Sequence, residues 1–404
     1  MCIREFKILI LEISIMDALS KKQRRADDSG IEYAEVDARE SIAFVFGDSK
    51  SRVRPEFVHQ NFGEAGKFSW PKELMPVSIE IHVDTRAGLR CQARVHHGGA
   101  VDSTLAITCK RDLVHRMSNP CELSDGCRPA VYPESLTHID DIETFTMQPS
   151  SMDDISDGYT VSRFQSREFQ GRSFNMWRRA EWLMLWFIES VSRSEHESDP
   201  NWEYYFLSES SGSIVAFCSV YRFPSFSFLS QGFIGDRLRL SQFLTIPSGW
   251  SKGFGSILLR YLADNVLARA DVDKLTMEDP SFGMNSVRET VYLQIAKENN
   301  VLQGDMSLEH LQERLKIPRV FSKRIKTLLE LRKLIHGKEV NSQLVEKVLI
   351  SGNRYVQKFI DSIEFYDDAV GDENDASTID KAAADALVRE RLSQALRKLE
   401  RVVA

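Results

Sequence analysis

Cysteine is scarce, with 6 in 404 residues, at Cys2, Cys91, Cys109, Cys121, Cys127 and Cys218. This is far below the density of a disulfide-stapled secreted scaffold, and no close cysteine pair of the kind that grips zinc occurs. Cys121, Cys127 and His115 come nearest to a metal set, and only by coincidence of composition. A reducing compartment and no metal are therefore expected. Long apolar runs are missing too, since no segment reaches the roughly 18 residues a membrane span needs. The opening MCIREFKILILEISIM joins a basic start to an apolar run, but Glu12 interrupts it and no small-residue cleavage pattern follows. Residues 1–30 are expected to be an extension, and Lys21-Lys22-Gln23-Arg24-Arg25 within them has the composition of a nuclear address. There is no internal repeat, and the net charge of -7 is too mild to define a partner by itself.

What is present is a chain that folds. With 42% hydrophobic and 10% aromatic residues it is not globally disordered, and its length supports two or three domains. Charge is unevenly spread. From Glu134 to Glu209 acidic residues outnumber basic ones by more than two to one, and from Lys316 to Lys358 the excess reverses. Each run is either a solvated surface or a binding face, and an acidic middle suits a basic peptide better than DNA.

Patterning divides the chain into four parts. Glu32 to Thr108 alternates, as in SIAFVF and SIEIHV, and predicts an antiparallel sheet. Residues 116–158 carry the Ser, Asp and Pro of a connecting segment. A helix is predicted from Asn175 to Ser192 with Trp182, Leu185, Trp186 and Glu189 on one face, followed by strands EYYFLS and SIVAFCSVYRF joined at Glu209-Ser210-Ser211-Gly212. PSFSFLSQGFIGD after Phe223 reads as a long loop with exposed aromatics. Beyond Asp279 the sequence turns helical, with an acidic break from Asp367 to Asp380 and a last charged helix from Lys381 to Val403. The basic helices are expected to be a packed subdomain with a solvated face, without direct nucleic-acid binding.

Chemistry concentrates between Ser241 and Ser281. SQFLTI reads as a strand, Pro247 to Gly255 as a glycine-bearing turn, Ser256 to Ala270 as an amphipathic helix and Lys274 to Met277 as a second strand ending in Glu278-Asp279-Pro280. A helix opening at Gly253-Phe254-Gly255 offers unpaired N–H groups and a positive dipole end to an anion, and glycine lets a phosphate approach the backbone. Glu278 and Asp279 stand at the next strand end, as a proton acceptor and its neighbour or as the cap of the following helix. Glu189, closing a Trp-rich helical face, is a second candidate carboxylate. Cys218 lies mid-strand with no basic partner evident, which favours a packed thiol over a covalent nucleophile.

SQFLTIPSGWSKGFGSILLRYL followed by LTMEDPS resembles the acetyl-CoA-binding core of the GNAT acetyltransferases, specifically the type B histone acetyltransferase catalytic subunits. EWLMLWFIESVS, Glu181 to Ser192, and RPEFVHQNFGE, Arg54 to Glu64, are similar to two further motifs of that family, in the same order. The likeness runs from about Ser41 to His336. It departs from the pattern at the phosphate turn, where Trp250 replaces a Gln or Arg and Ser251 replaces a glycine, while Lys252 adds a positive charge.

The resemblance implies an α+β fold: a GNAT core, a mixed twisted sheet with flanking helices, between an amino-terminal mainly β domain and a carboxyl-terminal helical subdomain. The expected boundaries are 1–30, 31–150, 151–295 and 296–404. It implies acetyl-CoA as acetyl donor, held by Phe243, Leu244, Thr245, Trp250, Ser251, Lys252, Gly253, Phe254 and Gly255, with Ser281 and Gly283 beyond the acid. It implies Glu278 as base, with Glu189 and Asp279 beside it, and direct attack in a ternary complex. The implied substrate is the tail of newly made histone H4, with H3, contacted by Glu64, Trp202, Tyr221 and Phe223. A WD-repeat histone-binding partner and a nuclear and cytoplasmic location are implied with it.

Overall fold

The computed structural model describes residues 31–47, 52–62, 65–86, 88–99, 103–118, 151–155, 158–166, 172–189, 191, 199–227, 232–301 and 307–336. The extension, Lys21 to Arg25, Glu64, Cys121, Cys127 and the last charged helix lie outside these residues.

The amino-terminal part contains β1 (Tyr33–Asp37), α1 (Ala38–Ser41), β2 (Ile42–Phe46), β3 (Arg52–Val53), α2 (His59–Phe62), β4 (Lys67–Pro71), β5 (Val77–Asp84), β6 (Arg90–His97) and α3 (Thr104–Ser118). The strands form a pair, β1-β4, and a four-stranded sheet of order β3-β2-β5-β6. Alternation in β5 buries Val77, Ile79, Ile81 and Val83 on one face, as the period-two pattern requires. The sheet is not wholly antiparallel as expected, because β2 pairs with β5 in parallel. Alternation reports which face is buried but not strand direction, which here depends on the connection through β4.

The central sheet is built from β7 (Ser151–Ile155), β8 (Tyr159–Gln165), β9 (Trp202–Glu209), β10 (Ile214–Ser227), β11 (Gly232–Thr245) and β12 (Val272–Met277), in the order β12-β11-β10-β9-β8-β7. All neighbours are antiparallel except β11 and β12, which are parallel and joined through α5 (Phe254–Ala268). The segment read as a loop after Phe223 is instead the far half of a long ribbon, since β10 continues to Ser227 and β11 begins at Gly232. Its aromatics do reach solvent, with Phe226 and Phe233 both more than half exposed.

Two hydrophobic cores meet at this sheet. One face packs under α5, α6 (Phe282–Glu298), α7 (Leu308–Leu315) and α8 (Arg319–His336). In α5, Leu258, Leu259, Leu262, Ala263 and Val266 recur at helical spacing and are buried. The other face packs against α4 (Arg172–Phe187) and the amino-terminal strands in one continuous cluster. There Trp177 lies 4.3 Å from Tyr204 and within 6.4 Å of Phe206 and Phe217, all fully buried.

A β-bulge in β11 assigns the faces. Ser219 pairs with Gln242 and Val220 with Leu240, so Ser241 has no cross-strand partner. That extra residue reverses the alternation. Leu238 and Leu240 bury under the α5 side, whereas Leu244 buries on the α4 side.

Candidate active site

The parallel pairing of β11 and β12 stops at Leu240 and Met277, and the amide of Glu278 closes it with a 2.9 Å bond to the Leu240 carbonyl. From Gln242 to Thr245, β11 pairs only with β10, leaving its other edge without a strand partner among the described residues. An edge of this kind is a ready template for an extended amide-bearing ligand. It leads towards α5, whose start is shaped by glycines. Gly253 caps α5 with φ +88°, and a side chain added there would meet nothing within 4 Å, so the space in front of the first turn is open. Gly255 is small for a different reason, because a Cβ would sit 3.2 Å from Thr245 Oγ1 and 3.5 Å from the Phe243 ring. A cofactor phosphate fits this cradle: exposed Ser251, Lys252 and Gly253 precede the amide groups of the first turn.

Of the residues expected to hold a cofactor, Leu244 and Phe254 are buried in the two cores, so they offer backbone groups only. Phe243 packs partly against the α5 core. Ser281 caps α6 through a 3.2 Å bond from the Met284 amide, and Gly283 follows in an exposed first turn. Trp250 is 43% exposed, donates its indole N–H to the Thr245 carbonyl at 2.9 Å and sets its ring edge-on to Phe187 at 6.1 Å. The departure from the family turn therefore ties the loop to the strand end.

Ser251 adopts φ +64°, a left-handed conformation that costs a side-chain-bearing residue roughly 1–2 kcal/mol. This explains physically why a glycine suits the position. Ser251→Gly is expected to stabilise the fold by about 0.5–1 kcal/mol once glycine's larger unfolded-state entropy is counted. Chemical denaturation compares the two chains, and a lower midpoint for the glycine variant would contradict the strain argument.

Glu56, Phe57 and Gln60 meet the carboxyl end of α4. Gln60 donates its side-chain amide to the carbonyls of Leu185 (2.7 Å) and Ile188 (2.8 Å), while the Glu56 and Phe57 amides bond to Trp186 O at 2.9 and 3.1 Å. These contacts satisfy the free carbonyls of a helix end. They also end the helix at Phe187, earlier than Ser192, and place Glu189 in an exposed turn rather than on the Trp-rich face. Ile188 and Val191 continue the apolar spacing of the sequence beyond the helix, which is why periodicity overshot.

Glu278 is exposed, with a side chain 43% accessible, and Asp279 beside it is held at φ +30°. Glu278 Oε2 lies 3.3 Å from Arg239 Nε on β11. Arg239 was not anticipated from the sequence. The signal for it is Asp236-Arg237-Leu238-Arg239-Leu240, where the leucines bury and the arginines take the opposite face, across from Phe223 and Tyr221 in register.

On that face Trp202, Tyr221 and Phe223 form a continuous aromatic row, with centroid separations of 4.9 Å and 4.4 Å. The Tyr221 hydroxyl donates to Asp199 Oδ2 at 2.6 Å, a bond that raises the phenol's pKa. The row is half-buried rather than core, and it lies beside the Glu278–Arg239 pair through the pairing of Tyr221 with Arg239. Cys218 is fully buried, and burial pushes its thiol well above the ordinary value, as a packed thiol would be. Among the described residues no group of His, Cys, Asp and Glu is arranged to hold a metal ion.

A mixed sheet that parts beside a glycine-opened helix, with a carboxylate where the strands separate, has the α+β layout expected of a GNAT-type core. No family model matches the chain. The curated proteins it resembles are histone acetyltransferase type B catalytic subunits. That of Mycosarcoma maydis is 32% identical over 119 residues, 28% of this chain and 25% of that protein. That of Cryptococcus neoformans is 32% identical over 138 residues, 32% of each, and that of Candida glabrata is 26% identical over 181 residues, 43% of each. The chain thus covers 25% to 32% of the length of the first curated relatives it matches. Similar solved structures include a ribosomal-protein-alanine N-acetyltransferase from Brucella melitensis, 14% identical, covering 33% of this chain and 90% of that one with a TM-score of 0.24. Another is an aminoglycoside acetyltransferase from an uncultured soil metagenomic sample, 11% identical, covering 33% and 86% with a TM-score of 0.25.

Proposed function

We propose that this protein is a lysine acetyltransferase that moves acetyl from acetyl-CoA to the amino-terminal tail of free histone H4. The observation that carries this reading is the parting of β11 from β12 after Leu240, which leaves an open strand edge running from the Glu278 carboxylate to the α5 amides. From Leu240 to Thr245 the strand spans about 16 Å at the usual rise. An extended thioester-bearing arm lies naturally along such an edge, with its phosphates at Gly253 and its acyl group near Glu278. Similarity to type B catalytic subunits supplies the substrate class.

The main obstacle is a proton. A lysine ammonium of pKa about 10.4 is neutral in only about one molecule in a few thousand at pH 7, a deficit of roughly 4–5 kcal/mol. Glu278 accepts that proton directly or through one water, and the freed amine attacks the acyl carbon; the amide C–N bond forms as the thioester C–S bond breaks, and the remaining amine proton goes to the departing coenzyme A thiolate. Backbone N–H groups on the open edge between Phe243 and Thr245 stabilise the charge that develops on the acyl oxygen. Trp202, Tyr221 and Phe223 line the approach for the peptide, and Glu64 is the further contact that the resemblance implies. Asp279 follows Glu278 in the chain, and Glu189, in the exposed turn after α4, is the second carboxylate, which shares the proton or orients the amine. Acetyl-CoA supplies the activated acyl group, and no metal is assigned a role.

Domain boundaries at residues 31, 151 and 296 accompany this reading, with histone H3 alongside H4, a WD-repeat histone-binding partner, and action in nucleus and cytoplasm. Mass spectrometry of an H4 tail peptide incubated with protein and acetyl-CoA tests it, and an unmodified peptide under saturating donor rejects it. A second reading, a histone carrier that keeps the scaffold without turnover, draws on the Trp250 indole bound to the Thr245 carbonyl. Calorimetry with acetyl-CoA separates the two, because absence of binding leaves only the carrier.

A further inference from the structure

We propose that Arg239 is a positioning residue that fixes the Glu278 carboxylate for proton transfer, an inference that rests on the reading of Glu278 as base. Glu278 sits at a strand end with its side chain well exposed, and an unheld carboxylate there would sample several rotamers. Arg239 limits that freedom through an ion pair that is not a hydrogen bond, since its Nε has no hydrogen-bond partner. Its Nε stands 3.3 Å from Oε2, and its own place is set twice: by the strand register that pairs it with Tyr221 and Thr276, and by Phe223, whose ring centroid lies 4.8 Å from the guanidinium carbon. A guanidinium over an aromatic face is a favourable and directional contact. The order of support runs from Phe223 to Arg239 to Glu278.

Charge then decides which oxygen works. A guanidinium has donors and no acceptor, so it does not compete as a base. It repels an approaching ammonium from Oε2, which leaves Oε1 to receive the amine. Arg239 therefore contributes to turnover without attracting the substrate. Arg237 stacks on the same ring at 4.9 Å but forms no ion pair with Glu278, which makes it the natural control.

Steady-state kinetics on H4 tail peptide test the proposal. Arg239→Ala is expected to lower kcat about tenfold, within the range spanned by contacting pairs, while KM for peptide does not rise. Arg239→Lys should restore part of the loss, and Arg237→Ala should leave kcat unchanged. In the Glu278→Gln background, Arg239→Ala should change kcat by less than about threefold, because a residue that acts through another is non-additive with it. Losses that multiply in the double variant, or a raised peptide KM with kcat intact, overturn the positioning role. Failure of Glu278→Gln by itself to lower kcat refutes the base instead, so the two readings fail separately. A thermal midpoint for each variant separates misfolding from lost positioning, and a loss of kcat matched by a collapsed midpoint in both Arg239 variants counts against the proposal.

Discussion

Glu278→Gln is expected to cut turnover on an H4 tail peptide by about a hundredfold or more while leaving acetyl-CoA affinity within about twofold. Glutamine preserves size and the strand-end backbone, including the 2.9 Å bond from the residue 278 amide to Leu240 O, but it does not accept a proton. The proposed cofactor cradle lies at the other end of the open edge and rests on main-chain groups of the Gly253 turn, so it has no reason to respond. Single-turnover kinetics followed by mass spectrometry measure the first effect and titration calorimetry the second. Turnover within threefold of the parent would remove Glu278 from the chemistry, and a parallel loss of cofactor binding would point to a structural role.

The second large effect concerns stability and lies on the α5 face of the sheet. Glu203 on β9 is only 3% exposed and accepts from Arg163 on β8 (2.9 Å), Arg222 on β10 (2.8 Å) and the Tyr205 hydroxyl (2.6 Å), with Arg269 at the end of α5 at 3.9 Å. One carboxylate thus ties three strands to a helix end. Burial by itself would raise its pKa, but Arg163, Tyr205 and Arg222 outweigh that effect and hold it below the ordinary value. Glu203→Gln leaves Arg163 facing a neutral group at a largely buried position, while Arg222 keeps Asp236 at 2.9 Å, and should cost about 3 kcal/mol, the low end for removing one partner from a buried pair.

The direction of the pH dependence follows from the depressed folded-state value. The contribution of Glu203 is complete above its unfolded pKa near 4.5 and is lost as pH falls through the lower folded value. Urea unfolding of the parent should therefore show a steep acid limb below about pH 4.5 that Glu203→Gln flattens. A variant with an unchanged midpoint at pH 7 would mean that the network contributes nothing net.

The sequence displayed the site's local parts better than its assembly. The glycine turn, α5 and the strand ending in Glu278 were legible because each is set by neighbours in the chain: apolar spacing in Leu258 to Val266, glycine at a positive φ, a proline after the acid. Trp202, Tyr221 and Phe223 were legible as aromatics but not as a row, which exists only once β9 and β10 are in register. The bulge at Ser241 left no trace, since a run such as Leu-Ser-Gln-Phe-Leu is equally compatible with regular alternation. Arg239 escaped notice for the same reason: its partner comes from a parallel strand 39 positions away, counted from Arg239 to Glu278. Glu189 was misplaced because the contacts that stop α4 come from Glu56, Phe57 and Gln60, well over a hundred residues earlier.

The central sheet is greasy on both sides, and the side bearing Trp177, Tyr204, Phe206 and Phe217 is roofed in part by strands that precede residue 100. A shortened protein that begins at β7 to isolate the half carrying Glu278 would hand that face to water. Its natural fate is clumping with its own copies rather than a leaner enzyme, so the early strands belong to the working unit even though none of them bears the carboxylate.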